Sequence, residues 1–210
     1  MESIAALCAK HRTDKQCSQH NYAPFYDQFF GHRRGEPLRL LEIGVASGAS
    51  LRVWREAFPS AEIVGLDINP DARRVEGTFF VRGDQLDPVA LANCEEAAGG
   101  PFDIVIDDGG HDDRLQIGTF NHLFLRMAPG GIYVVEDLCC SYYNGRRETS
   151  AVGRFKELVD DAMSRGKLYY GDKRNASTPE RAEKLAKLMP LERHVHSLFF
   201  ANSIMFVFKS

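Results

Sequence analysis

Residues 194–209 read HVHSLFFANSIMFVFK. Two strand-like runs, HVHSLFFA (194–201) and SIMFVFK (203–209), meet at a very short turn around Asn202. A parallel crossover takes a dozen or more residues, so one of these strands must run antiparallel. Upstream the pattern differs. LRLLEI (38–43), AEIVGLDI (61–68), TFFVRGD (78–84), FDIVID (102–107) and IYVVED (132–137) are apolar runs separated mostly by helix-length segments. That alternation predicts a parallel sheet with helices on both faces. The expected fold is α/β: a seven-stranded, mostly parallel sheet closed by an antiparallel C-terminal hairpin.

The segments between the strands carry helical periodicity. Leu51, Trp54 and Phe58 share one face, as do Ile117, Phe120, Phe124 and Met127 before the break at Pro129-Gly130-Gly131. DPVALANCEEAA (87–98) is a helix, and Phe155, Leu158, Val159 and Ala162 mark another. Asn69-Pro70 predicts a short helix, and Thr178-Pro179 an N-cap and first helical position. SYYNGRRETS (141–150) and most of 167–177 read as loop.

With 210 residues the chain suits one domain, 1–210, with a core that needs no staples. The net charge of −3, from 29 acidic and 26 basic residues, argues against a polyanion-binding surface, so no nucleic-acid partner is expected. Arg146–Arg147 reads as a solvated loop. Five cysteines without a CxxC fit free thiols in a reducing cytoplasm. MESIAALCAKHR lacks a signal-peptide pattern, and no run approaches the roughly 18 apolar residues of a membrane span. The expectation is a cytoplasmic protein with no membrane partner; a homo-oligomer stays compatible with it.

In open α/β sheets ligands bind outside the carboxyl ends of the strands. IVIDDGGH (104–111) places Asp107, Asp108 and His111 at one such end, and Glu136 and Asp137 stand at another. If the two strands are neighbours, the acidic ends converge. Asp107-Asp108 as a helix cap, His111 as a structural histidine, and Glu136-Asp137 facing a cofactor without metal remain open alternatives. The turn EIGVASGAS (42–50) has Gly44 and Gly48 in a G-x-x-x-G spacing that permits close backbone approach to a ligand. Asp67 ends the second strand where a ribose-binding acid belongs. Asp84 and Gln85 end the third, placed to read an adenine edge. Glu42 suits an amino-bearing ligand and would face a pyrophosphate unfavourably. S-adenosyl-L-methionine therefore fits this acid-rich end better than a nicotinamide dinucleotide.

LLEIGVASGASLRVWREAFPSAEIVGLDI (40–68), FDIVIDDGGH (102–111), MAPGGIYVVEDL (127–138) and the entry pair TDK (13–15) with HNYAPFY (20–26) occur in order. Together they resemble the metal-dependent sugar O-methyltransferases of antibiotic biosynthesis, the macrocin and mycinamicin type, over roughly 12–138. The first glycine loop is shorter than in many relatives, and the extra N-terminal domain of some macrolide enzymes is not expected. The resemblance implies a Rossmann-like class I methyltransferase fold, with 1–36 as a helical entry segment and 139–178 as an acceptor-side insertion. It implies S-adenosyl-L-methionine held by Thr13, Lys15, Tyr22, Glu42, Gly44, Ser47, Gly48, Ser50, Asp67, Asp84, Gln85 and Asp108. It also implies magnesium, or another divalent cation, on Asp108, Glu136 and Asp137, with His111 as the base. Facing carboxylates repel unless a cation sits between them, and magnesium prefers such oxygen ligands. The acceptor is then a small molecule, a glycosylated natural product, with Tyr142, Tyr143 and Arg146 as its lid. Competing readings are a catechol or phenol O-methyltransferase, a non-catalytic cofactor-binding module, and an NAD-dependent oxidoreductase.

Overall fold

The computed structural model describes residues 2–143, 145, 148–164, 179, 183 and 186–210. Two helices come first, α1 (Ile4–His11) and α2 (Ala23–Phe30). Ser3 caps α1 by accepting from the Ala6 N–H, and Arg12 ends it at φ 55°. The sheet and its crossovers follow: β1 (Arg39–Ile43), α3 (Ala49–Ala57), β2 (Glu62–Asp67), β3 (Phe79–Arg82), α4 (Pro88–Ala98), β4 (Ile104–Asp107), α5 (Asp113–Leu123) and β5 (Ile132–Val135). The chain closes with α6 (Ala151–Ser164), α7 (Pro190–His194), β6 (Val195–Ala201) and β7 (Ile204–Lys209).

The strand order is β3-β2-β1-β4-β5-β7-β6. Every pairing from β3 to β5 is parallel, while β5–β7 and β7–β6 are antiparallel. The expected topology, including the closing hairpin, is the one observed. Ile43 pairs with Asp107, and Asp107 with Val135. The carboxyl ends of β1, β4 and β5 are therefore level, and Gly44, Asp108 and Glu136 leave the sheet side by side. Successive crossovers run in opposite directions from β1 and β4, which opens the crevice where such sheets bind ligands.

Apolar layers cover both faces. One joins Ile4, Tyr26, Phe30, Trp54 and Phe58 to the sheet; the other joins Leu91, Phe120, Phe124 and Phe155. Phe120 stacks on Phe124 with centroids 4.8 Å apart and meets Tyr133 and Phe155 edge-on at 5.2 and 5.4 Å. Truncating such a ring to alanine costs about 3–5 kcal/mol.

Three sequence expectations change. Asn69-Pro70 does not begin a helix: the Asn69 side chain accepts from the Asp71 N–H and its carbonyl from the Ala72 N–H, closing a local turn. An asparagine that bonds its own backbone competes with helix formation. β5 stops at Val135, before the acidic pair, because Asp137 takes a left-handed φ of 54°. His194 ends α7 instead of entering the strand, so it does not share a strand face with His196. The loop expected over 167–177 and the cap at Thr178 lie outside the described residues. No helix among the described residues is long and apolar enough to cross a membrane.

Candidate active site

Gly44 follows β1 with φ +88°, and a Cβ there would lie 2.0 Å from the Asp108 carbonyl oxygen. Only glycine lets the β1 and β4 loops pack this closely. Above them opens a cavity of about 500 Å³, lined by Gly44, Asp67, Asp84, Gln85, Asp108, His111 and Asp137. A smaller one, about 230 Å³, shares Gly44 and Asp108 and adds Thr13, Ser47 and Ser50. Asp14 lines both, and Ile68 and Leu115 add apolar surface to the larger one.

Several expected binding residues stand elsewhere. Gly48 lines neither cavity; it turns the chain into α3 at φ +70°. Glu42 is fully buried and lines neither. Its Oε2 accepts from Ser50 Oγ at 2.8 Å, and its Oε1 has no hydrogen-bond partner. Burial pushes its carboxyl up to about 7, with Lys15 pulling the other way. Asp67 lines the large cavity but also ties its rim, accepting from the Val45, Ala46 and Asn69 N–H groups. Gln85 spends its amide inward: Oε1 accepts from the Gly110 N–H at 2.7 Å, while Nε2 donates to Asp107 and Thr119. It braces the 108–111 loop. Asp107 is interior too, 1% exposed and bonded to Tyr133, and burial raises its carboxyl to about 7. Helix α5 is capped by Asp112, so neither Asp107 nor Asp108 is that cap.

Ligand atoms of Asp108, His111 and Asp137 all lie within 4.8 Å of one another. His111 Nε2 is 3.4 Å from Asp137 Oδ2. Asp137 Oδ1 accepts from Tyr22 Oη at 2.7 Å, with His20 Nδ1 at 3.6 Å. Glu136 is not brought into this group. It is 1% exposed, one oxygen accepting from Lys15 Nζ at 2.8 Å and the other from Tyr26 Oη. Lys15 Nζ also donates to Asp108 at 2.5 Å and lies 3.9 Å from Glu42. Desolvation opposes the Lys15 charge, but these three carboxylates outweigh it and raise its pKa well above the usual lysine range. Burial, then repulsion from Asp108, raises Glu136; Lys15 opposes both. Lys15 and Tyr22 line neither cavity; both act on the acids. Tyr26 and Asp14 were absent from the sequence expectation, although each adjoins it, Asp14 inside TDK and Tyr26 four residues after Tyr22 on one helical face.

The fit to both expected groups rests on these contacts. Gly44 and Asp108 line both cavities, and the buried Glu42 carboxyl stands behind Ser50, which lines the smaller one. Two carboxylates and an imidazole form a compact, partly exposed set, and carboxylate oxygens suit a hard divalent cation.

Comparison with known proteins agrees. Residues 41–138 match the model of a methyltransferase domain. The chain is 37% identical to 8-demethyl-8-alpha-L-rhamnosyl tetracenomycin-C 2'-O-methyltransferase of Streptomyces olivaceus, across 98% of this chain and 54% of that protein. It is 38% identical to demethylmacrocin O-methyltransferase of Streptomyces fradiae, across 73% of this chain and 43% of that protein. MycE methyltransferase from the mycinamycin pathway, solved in complex with Mg, SAH and mycinamycin VI, superposes with a TM-score of 0.80 at 29% identity. That match covers 99% of this chain and 54% of MycE. The chain spans about half the length of the relatives it matches. The chain carries a methyltransferase domain of class I fold over 41–138 and is similar, across about half of their length, to the macrocin, mycinamicin and tetracenomycin sugar O-methyltransferases.

Proposed function

We propose that the chain transfers a methyl group from S-adenosylmethionine to a sugar hydroxyl of a glycosylated small molecule, with magnesium as the divalent ion. The observation that carries this is the Asp108, His111 and Asp137 cluster set into the wall of the large cavity. The ligands of MycE and the substrates named for the relatives support the reading.

The two cavities divide the labour. Asp67 and Asp84 hold the adenosine portion, with Ile68 and Leu115 as apolar walls. Thr13, Ser47 and Ser50 serve the amino-acid portion, and the Glu42 carboxyl braces Ser50 from behind. Asp108 and Asp137 hold the ion. When bound, magnesium supplies Lewis acidity toward an acceptor oxygen. A sugar hydroxyl ionises far above neutral pH, so a base is needed at the moment of attack. His111 takes the hydroxyl proton as the oxygen–carbon bond forms and the sulfur–carbon bond breaks. Asp137, at 3.4 Å, orients the ring and stabilises the imidazolium. Much of the acceleration comes from holding two reactants in line, where effective molarities reach about 10⁵–10⁸ M.

The test is incubation of the full chain with S-adenosylmethionine, magnesium chloride and a panel of rhamnosylated polyketides, macrolide glycosides and catechols, read by mass spectrometry. A gain of one methyl on a glycoside supports the reading. Methylation of catechols alone, or of nothing in the panel, rejects the sugar assignment.

A further inference from the structure

The two cavities are lined by five aspartates, Asp14, Asp67, Asp84, Asp108 and Asp137. Among the described residues a single lysine or arginine lines either of them: Arg12, in the smaller cavity beside Thr13, Asp14, Ser47 and Ser50. Arg12 is exposed, and among the described residues its side chain makes no hydrogen bond or ion pair. Its basic neighbours on α1 are both engaged by Glu56, Lys10 Nζ at 2.6 Å and His11 Nε2 at 2.9 Å. The backbone at Arg12 is also unusual. It ends α1 in the left-handed region, φ 55° and ψ 40°, with its N–H donating to the Ala9 carbonyl. Glycine usually fills such a position, because an L side chain crowds the backbone there. Helix-terminal charge does not account for the arginine, since Lys10 and His11 already supply cations to the last turn. Side chains held against a conformational cost cluster at ligand clamps.

We propose that Arg12 is a cofactor-binding residue, the guanidinium that holds the methionine carboxylate of S-adenosylmethionine. This rests on the assignment of the smaller cavity to the amino-acid portion, made above. That portion is a zwitterion. Its ammonium is matched by Asp14 and Asp108, which line the same cavity. Without Arg12 its carboxylate would meet hydroxyls and like charge, and like charges a few ångströms apart repel. A guanidinium presents paired N–H donors in the geometry of a carboxylate. The turn that carries it is fixed from below: Thr13 is buried, its N–H donates to the Cys8 carbonyl, and its Oγ1 accepts from the Lys15 N–H at 3.3 Å. Arg12 therefore selects for a cofactor that bears the carboxylate.

The test is calorimetric titration of the full chain with two ligands, S-adenosylhomocysteine and its decarboxylated analogue, which keeps the adenosine, the sulfur and the amine. Arg12→Met is expected to weaken S-adenosylhomocysteine by about tenfold, the lower end for a hydrogen-bonded charge pair. The same variant should change the Kd of the analogue by less than about twofold. Arg12→Lys keeps the charge without the paired donors, and its Kd for S-adenosylhomocysteine should fall between those of the wild type and Arg12→Met. Arg12→Gly separates binding from folding. It should weaken S-adenosylhomocysteine as Arg12→Met does, yet raise the melting temperature of the free chain by about 2–4 °C, because the left-handed turn no longer carries a side chain. An arginine that only supported the fold predicts the reverse: a lower melting temperature in Arg12→Gly and equal losses for the two ligands. That pattern overturns the inference, as does an unchanged Kd for S-adenosylhomocysteine in Arg12→Met. Failure of the unmodified chain to bind S-adenosylhomocysteine instead removes the assignment of the cavities to the cofactor, and the inference with it.

Discussion

Gly44→Ala probes the contact on which the site is built. The added Cβ would lie 2.0 Å from the Asp108 carbonyl oxygen, 2.6 Å from its carbonyl carbon and 3.0 Å from Gly109 Cα. All three are backbone atoms, so no side chain can swing away. Restoring ordinary contact at 3.4 Å requires the two loops to part by more than an ångström. Forcing extra atoms into a packed site costs about 1–3 kcal/mol, and an L-residue at this φ adds roughly 1–2 kcal/mol. A combined loss near 3 kcal/mol corresponds to a melting temperature lower by about 6–12 °C for a domain of this size. Function should suffer more than stability. Asp108 shifts relative to His111 and Asp137, and a misplacement of about 1 Å can cost about 10²-fold in rate. Gly35→Ala is the control, because nothing lies within 4 Å of a Cβ there and its φ is ordinary. Calorimetric melting and a titration of S-adenosylhomocysteine measure both effects. A Gly44→Ala protein with the melting temperature and cofactor affinity of Gly35→Ala would show that the loops do not approach as described.

His111→Ala should retain S-adenosylhomocysteine affinity in calorimetry while methyl transfer falls by about 10²–10⁴-fold, the usual range for a lost general base; unchanged turnover rejects the assignment. Gln85→Leu strips the Gly110 N–H of its acceptor and Asp107 and Thr119 of a donor. It should cost about 1–3 kcal/mol in denaturant unfolding, the penalty for unsatisfied buried groups, and lower turnover more than cofactor affinity. Glu42 titrates near 7 when folded and near 4.5 otherwise, so the native chain holds a proton that the unfolded chain has released. Its contribution to stability is therefore fully present below about 4.5 and is lost as pH rises through 7. Relative to Glu42→Gln, the wild-type chain should lose about 3 kcal/mol across that window in urea unfolding, at about 1.4 kcal/mol per pKa unit; parallel stability curves would contradict the buried assignment.

The sequence made the frame legible because strands announce themselves locally. Apolar runs of β-branched residues, and a turn too short for a crossover, are enough to find five parallel strands and a closing hairpin, though not their order in the sheet. The acidic ends of β4 and β5 were readable for the same reason: register follows from neighbouring strands, and Asp107 and Val135 do pair. Partner choice was not readable. Lys15 meets Glu136 across 121 positions, and Tyr26 meets it across 110, so no spacing rule connects them. Nor does composition tell whether a carboxylate faces a cavity or the interior. Asp107 and Asp108 are adjacent and alike, yet one lies against Tyr133 and Gln85 and the other at the cavity wall. Gln85 misled in the same way, since an amide suited to an adenine edge is equally suited to a loop's own N–H. The Asn69 turn was hidden because the side chain that bonds its backbone is the one that resembles a helix cap.

The central claim is that Asp108, His111 and Asp137 work on a divalent ion beside the methyl donor. Initial rates of methyl transfer to a rhamnosylated polyketide, measured before and after exhaustive chelation and again after adding magnesium chloride, test it most directly. The account predicts that chelation abolishes transfer, that magnesium restores it, and that Asp137→Asn is not restored at the same magnesium concentration. Full-rate transfer by the chelated chain would contradict it.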